Sequence, residues 1–133
     1  MPAAYNERAE LRQSEPYVQG QTTYSTYSPR AGNTRTSWLT GAAAWAYFSA
    51  TQYILGIRPE MDGMRLDPCI PHTWTGFKAT RRFRGKTIAI EVKNPQGVCR
   101  GVKSLTLNGK ILSGNLVPAD LLGENNAVEV LMG

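Results

Sequence analysis

The stretch Thr87–Lys93, TIAIEVK, alternates apolar and polar residues and decides the fold of the second half of the chain. Ile88, Ile90 and Val92 fall on one face of an extended segment, because successive side chains of a strand point to opposite faces. This period of two predicts a half-buried β-strand rather than a helix.

The residues before this strand alternate with the opposite parity. Phe77, Ala79 and Phe83 are odd-numbered, whereas the apolar positions of Thr87–Lys93 are even-numbered. A single slip in the alternation is typical of an irregularity in the strand. We therefore predict a bulge or bend near Arg84–Gly85.

Two more strand signals follow toward the end of the chain. Leu105 and Leu107 precede Asn108-Gly109, and Asn-Gly between apolar residues predicts a hairpin with a type I′ turn. Alternating apolar residues predict a final strand at Val128, Val130 and Met132. Short strands at regular spacing, separated by Gly, Asn and Pro, predict a sandwich or an antiparallel barrel.

The strongest helix signal lies upstream, over residues 37–56 (SWLTGAAAWAYFSATQYILG). Alanine is the best helix former, and Gly56 followed by Pro59 predicts the end of the helix. The segment is apolar most of the way round, which predicts a buried helix. The remaining sequence offers almost no other helix to cover it.

Composition excludes several classes of protein. The chain has 133 residues, of which 41% are hydrophobic and 19% charged, as in ordinary globular domains. The apolar stretch 41–57 is too short and too polar for a membrane span. No signal peptide is evident before it, so we expect no export and a cytoplasmic location. Upstream of the helix, Asn6–Gln13 predicts a short helix and Tyr24–Pro29 a loop, although Tyr and Thr at alternate positions would also suit a short strand.

The net charge of +5 is concentrated in Lys78–Lys86 (KATRRFRGK). A basic stripe with aromatic residues can bind nucleic acid, but it is more often the solvated face of a strand.

Cys69 and Cys99 neither require nor exclude a disulfide, and free thiols are the simpler interpretation. Because structural zinc needs four ligands and the chain has one histidine, His72, we expect no metal site.

No pattern of catalytic residues stands out. Sugar chemistry requires two carboxylates facing each other across a cleft, and Glu15, Glu60, Asp62 and Asp67 are only unassigned candidates. His72 follows Pro71 in a loop, where a histidine is more often structural than catalytic.

The start of the helix is chemically more informative. Free N–H groups and the positive end of the helix dipole make a helix start a natural anion site. Thr40 adds a hydroxyl there, and Gly41 lets an oxyanion approach the backbone. The alternative is an ordinary N-cap, which Ser or Thr forms at many helices.

A series of motifs, in order along the whole chain, resembles the end of a known enzyme family. The family is that of the inverting β-disaccharide phosphorylases, the cellobiose and chitobiose phosphorylases of glycoside hydrolase family 94. The motifs are EPYV (15–18), SPR (28–30), SWLTG (37–41), TQYILGIRP (51–59), DPCIP (67–71), GFK (76–78) and RRFRG (81–85).

The resemblance implies an α+β chain in two parts. Residues 1–60 would be the terminal helical segment of a six-hairpin (α/α) catalytic barrel, and residues 61–133 an antiparallel β-sandwich. The helix would then be covered by barrel segments outside this chain, and Met1 would match an internal position of the family. The resemblance also implies that full-length members are homodimers, with no nucleic-acid or membrane partner.

The resemblance further implies a reaction and three site residues. Inorganic phosphate, the co-substrate, attacks the anomeric carbon of a β-linked disaccharide such as cellobiose and gives an α-sugar 1-phosphate; no cofactor is used. Thr40 and Gly41 match the phosphate-binding Thr-Gly of the family, and Gln21 matches a Gln that binds the glycone sugar. The general-acid Asp has no match here, so no residue of this chain is assigned a catalytic role.

Two positions depart from the family pattern. Gln19 stands where an aromatic residue is common, so that Gln19 and the small Gly20 leave a looser pocket wall, and Ala42 replaces a hydroxyl-bearing residue after the Thr-Gly. Two other interpretations stay open: a free-standing β-sandwich that binds carbohydrate or assembles with a partner, and one half of a split enzyme.

Overall fold

The computed structural model describes residues 9–15 and 18–133. These residues form two compact units, one of the described residues up to Tyr47 and one from Phe48 to Gly133. The predicted domains, 1–60 and 61–133, refer to a larger protein, and their bounds stay a prediction.

The first unit contains a short helix and a β-hairpin. Helix α1 (Ala9–Arg12) is the described part of the helix predicted over Asn6–Gln13, whose residues 6–8 lie outside the described residues. Strands β1 (Gly20–Thr23) and β2 (Thr34–Ser37) pair antiparallel. The predicted loop, Tyr24–Pro29, lies in the connection between them.

The main helix begins later than predicted. Helix α2 runs Ala42–Ser49 and continues as a π-helix over Ala50–Ile54. Ser37 belongs to β2, and Trp38 has a φ of 71°, which no α-helix can contain. The helical end is as predicted, because Gly56 adopts a φ of 66°.

The prediction that this helix is buried is wrong for the chain by itself. Neither α2 nor the π-helix contains a buried residue, and Trp45 is 69% exposed. An all-round apolar pattern reports which residues could be buried, but it carries no information about what covers them.

The second unit consists of two sheets. The strands of the smaller sheet are β3 (Ile57–Pro59), β4 (Gly63–Leu66) and β9 (Leu116–Pro118). Those of the larger sheet are β5 (Gly76–Phe83), β6 (Lys86–Lys93), β7 (Val102–Leu107), β8 (Lys110–Leu112) and β10 (Asn125–Met132). The three-stranded sheet has the order β3-β4-β9, and the five-stranded sheet has the order β5-β6-β10-β7-β8. A 3₁₀ turn, Ala119–Leu121, follows β9.

The two sheets bury one common core, as expected for a sandwich. Each of the following core side chains is at most 1% exposed: Met64, Leu66 and Val117 from the smaller sheet, and Ile88, Leu105 and Val130 from the larger one. The alternation that predicted β6, β7 and β10 is confirmed, because the apolar residues of each strand face this core.

The larger sheet is mixed, not wholly antiparallel as predicted. The last strand, β10, lies parallel to β6, with Ala127 opposite Ala89, and antiparallel to β7. Pairing between segments 38 residues apart is decided by the packing of the whole unit, which the local alternation of apolar residues does not encode.

The change of parity near Arg84–Gly85 is a hairpin turn, not a bulge. Strands β5 and β6 pair antiparallel with Phe83 opposite Lys86. Arg84 and Gly85 have φ values of 51° and 78°, and Asn108 and Gly109 have φ values of 49° and 81°. Positive φ at both central residues is the signature of a type I′ turn, as was predicted at Asn108-Gly109.

One buried polar side chain closes the loop after β6. Asn94 is 2% exposed and donates hydrogen bonds to the carbonyl oxygens of Trp74 and Val98, at 3.0 and 2.8 Å. Its Oδ1 accepts a third bond from the Val98 N–H at 3.0 Å. We expect Asn94→Ala to lower the free energy of unfolding by about 2–3 kcal/mol, because the Trp74 carbonyl and both backbone groups of Val98 lose a hydrogen-bond partner.

Chemical denaturation followed by circular dichroism measures this effect. The matched control is Asn125→Ala, since Asn125 is exposed and should cost about 0.5 kcal/mol or less. Equal effects of the two substitutions would show that Asn94 does not organise this loop.

Candidate phosphate and sugar site

The first unit positions all three predicted site residues. Gln21 lies on β1 and is exposed, between Gly20, which is opposite Ser37, and Thr22, which is opposite Arg35. The β1–β2 hairpin therefore presents Gln21 on a short, paired strand. Four residues, 38–41, then connect β2 to the start of α2.

The structure supplies a reason for the glycine before Gln21. A Cβ added to Gly20 would lie 1.8 Å from Cγ2 of Thr34. Thr34 is buried, so its methyl group occupies the space that a side chain at position 20 would need. The absence of a side chain at position 20 is thus a packing requirement of this hairpin.

Thr40 and Gly41 lie together at the start of α2. Thr40 Oγ1 accepts a hydrogen bond from the Ala42 N–H at 3.1 Å, and the Gly41 carbonyl accepts the first helical bond from the Trp45 N–H at 3.1 Å. A hydroxyl that accepts one bond keeps its own O–H to donate. The observed bond is thus a helix-capping bond, and it leaves the O–H of Thr40 available as a donor.

The backbone at this helix start is open to a ligand. Gly41 is exposed, and a Cβ added to it would meet only Cδ1 of Trp45, at 3.9 Å. The first N–H groups of a helix have no carbonyl partner within it. Together with the helix dipole, they favour a small anion here.

Two of the unassigned carboxylates, Glu60 and Asp67, are paired with arginines. Glu60 accepts bonds from both Nε and Nη2 of Arg65, at 2.6 and 2.9 Å, and this pairing lowers the pKa of Glu60. Asp67 Oδ2 accepts bonds from Arg58 and Arg100, at 3.1 and 3.0 Å. Both carboxylates therefore serve as ion-pair partners in this fold.

Two arginines that converge on Asp67 were missed from the sequence. Arg58 was noted only within the motif TQYILGIRP (51–59), and Arg100 lies 33 residues after Asp67. Nothing in the local pattern brings them together. An isolated bridge between Cys69 and Arg100 aligns the two segments, so long-range pairing places the second arginine.

The basic run, Lys78–Lys86, is engaged within the second unit. Lys78 pairs with Glu91 at 3.2 Å across β5 and β6, and the Arg84 guanidinium donates to the Met61 carbonyl at 2.5 Å. Lys86 donates to the Leu122 carbonyl at 2.5 Å. Three of its charges thus have intramolecular partners, as the interpretation of a strand surface anticipates.

Neither the thiols nor the histidine assemble a metal site in the structure. Cys69 and Cys99 are free and exposed, and His72 lies in an exposed turn. Among residues 9–15 and 18–133, no three His, Cys, Asp or Glu side chains converge as metal ligands.

Within the same ranges, no helix has the length and apolarity required to cross a membrane.

Comparison with known proteins identifies a matching family profile and several relatives of this chain. Residues 1–56 match the family profile described as the catalytic domain of the glycosyl hydrolase 94 superfamily. The chain is 42% identical to the N,N'-diacetylchitobiose phosphorylase of Vibrio proteolyticus over 99% of its own length, and 41% identical to that of Vibrio furnissii. It is also 37% identical to the solabiose phosphorylase of Paenibacillus borealis over 89% of its length. The chain is related to the glycosyl hydrolase 94 phosphorylases.

The match to glycosyl hydrolase 94 contains Gln21, Thr40 and Gly41. Residues 57–99 match a different profile, the C-terminal domain of glycosyl hydrolase family 65. The chain spans 16% of the length of each Vibrio relative and 15% of the Paenibacillus relative. Most of each glycosyl hydrolase 94 relative therefore has no counterpart in these 133 residues.

Proposed function

We propose that this chain is part of an inverting phosphorylase that cleaves a β-linked disaccharide with inorganic phosphate. The observation that carries the proposal is the alignment of nearly the whole chain with disaccharide phosphorylases at 37–42% identity. The open helix start, with one unused hydroxyl donor, is consistent with a phosphate-binding role.

In this proposal, Thr40 and Gly41 hold the attacking phosphate. The Thr40 O–H donates to a phosphate oxygen, and the glycine leaves room for that oxygen to approach free backbone N–H groups. The helix dipole adds attraction for the phosphate charge. Gln21, exposed on β1, offers an amide that can both donate to and accept from sugar hydroxyls.

The chemistry requires groups that this chain does not supply. Phosphate attacks the anomeric carbon from the face opposite the leaving oxygen, and an α-sugar 1-phosphate forms. A carboxylic acid must protonate the leaving oxygen, as in an inverting hydrolase. We propose that this acid belongs to a preceding barrel, of which residues 1–60 are the last segment, and that the assembled enzyme is a cytoplasmic homodimer without a cofactor.

The exposed apolar residues in and just before α2 support the proposal that a preceding barrel packs against this chain. Trp38, Leu39, Trp45 and Tyr47 are 64–73% exposed, although such residues are normally covered in a folded protein. A further barrel segment packed against α2 would bury them. The proposal therefore accounts for a helix that is apolar all round and yet has no buried residue.

The 133-residue chain alone is expected to show no turnover. Glu60 and Asp67 are committed to arginines, so neither carboxyl supplies the proton that the leaving oxygen needs. The check is incubation of the purified chain with phosphate and cellobiose, laminaribiose or N,N'-diacetylchitobiose, followed by assay for sugar 1-phosphate. Product formation above a heat-denatured control would contradict the proposal that the general acid lies outside these 133 residues.

The proposed function itself is tested by a graft. Residues 1–133 replace the matching segment of the Vibrio proteolyticus relative, and this grafted enzyme is assayed on the same three disaccharides. We expect phosphate-dependent cleavage of at least one of them. A folded grafted enzyme without activity on any of the three would argue for the alternative, a free-standing carbohydrate-binding or assembly module.

A further inference from the structure

The unit from Phe48 to Gly133 contains a cavity that none of the three predicted site residues lines. Its volume is about 260 Å³, which is ample for a phosphate ion. The π-helix contributes two of its lining side chains, and the segments around β3, β4 and Arg100 contribute the others. The lining residues are Gln52, Tyr53, Arg58, Asp67, Cys69 and Arg100.

The charges lining this cavity do not cancel. Arg58 and Arg100 each donate to the same oxygen, Oδ2 of Asp67. Two guanidinium groups share one carboxylate, so the cluster carries one excess positive charge. The hydrogen bond that Arg100 donates to Asp67 also raises the pKa of Arg100, which therefore stays charged.

Both arginines keep unused hydrogen-bond donors. A guanidinium has five N–H groups, and each arginine uses Nη2 for Asp67. The Nε of Arg58 is buried and has no partner among the described residues. The Arg100 side chain is 69% exposed, so its other donors are accessible to a ligand.

The π-helix gives an independent reason to consider this cavity functional. π-helical turns are rare and are found frequently at functional sites. This one, Ala50–Ile54, carries Gln52 and Tyr53 to the same cavity. Tyr53 also lies against the Arg58 guanidinium, 5.8 Å from carbon to ring centre, which helps to hold that arginine in place.

We propose that this cavity is a second oxyanion site, which binds phosphate through Arg58 and Arg100 with the Gln52 amide as a further donor. Guanidinium groups bind phosphate with paired N–H donors, and excess positive charge in a concave surface attracts anions. Neither Thr40 nor Gly41 lines this cavity, and the proposal does not depend on the proposed function.

The test is a titration of the isotope-labelled 133-residue chain with inorganic phosphate, at constant ionic strength, followed by two-dimensional ¹H–¹⁵N NMR. We expect saturable shifts of the Gln52 side-chain amide and of the Arg100 Nε–H. Binding at the helix start would instead move the amides of Gly41 and Ala42. One spectrum therefore separates the two sites.

Two variants with the same charge change identify the ligand-binding arginine. We expect Arg100→Gln to weaken phosphate binding, read at Gln52, about ten-fold, because a charge-assisted hydrogen bond is lost. Arg82→Gln is the control, since Arg82 is exposed on β5 and does not line the cavity. Shifts at Gln52 that do not saturate, or equal weakening by both variants, would overturn the proposal.

Discussion

Replacing Gly56 by alanine is expected to lower the free energy of unfolding of the second unit by about 3 kcal/mol or more. Gly56 joins the π-helix to β3 with a φ of 66°, and it is buried. A Cβ there would lie 2.1 Å from the Asp67 carbonyl oxygen and 2.5 Å from the Pro68 nitrogen. Because those atoms belong to the backbone, no side-chain rotation relieves the clash.

Gly85→Ala separates the steric clash from the cost of positive φ. Gly85 has a φ of 78°, and a Cβ added there would meet nothing within 4 Å. This control should therefore cost only the conformational penalty, about 1–2 kcal/mol. Guanidinium denaturation of both variants, followed by circular dichroism, measures the difference. Equal losses would mean that the contact between Gly56 and Asp67 is not tight.

The second large effect is expected at the helix start. In the grafted enzyme, Thr40→Val should raise the KM for phosphate about ten-fold and leave the KM for the disaccharide nearly unchanged, because the variant loses one hydroxyl donor to a charged ligand. Initial rates at varied phosphate and fixed disaccharide measure this.

Thr40 also caps α2, so the experiment must separate binding from stability. Thr40→Ser keeps a hydroxyl for both the Ala42 N–H and the phosphate, and we expect nearly wild-type kinetics from it. Thr26→Val makes the same chemical change in an exposed turn and should alter neither KM. If Thr40→Val raised both KM values equally, Thr40 would be a structural cap and not a phosphate ligand.

The strands were predictable because the alternation of apolar and polar residues lies within each strand's own sequence. In β6 and β10, every second residue faces the common core, so alternation alone identifies the strand and its buried face. The turn at Asn108-Gly109 was equally local, since the two residue types favour positive φ. The turn at Arg84-Gly85 was predicted only as a bulge or bend, because arginine rarely adopts the positive φ of a type I′ turn.

Features that depend on distant residues were not predictable. The parallel pairing of β10 with β6, and the meeting of Arg58, Asp67 and Arg100, follow from how the whole unit packs. The late start of α2 had a local cause, the positive φ of Trp38, but a tryptophan gives no sign of it.

The predicted site residues came from the resemblance more than from physical patterns. Thr40 and Gly41 at a helix start would suit any N-cap, and only the run of motifs in order assigned phosphate to them. For Gln21, an exposed amide on a short strand carries no signal of its own. Their roles stay predictions, which the kinetics of the Thr40 variants address first.

The ³¹P NMR spectrum of the grafted enzyme with disaccharide and inorganic phosphate tests the central claim most directly. If residues 1–133 complete a phosphorylase, each glycosidic bond cleaved consumes one phosphate and yields one sugar 1-phosphate resonance beside one free sugar. Release of free sugars without a phosphate ester would contradict the account, because water and not phosphate would then be the nucleophile.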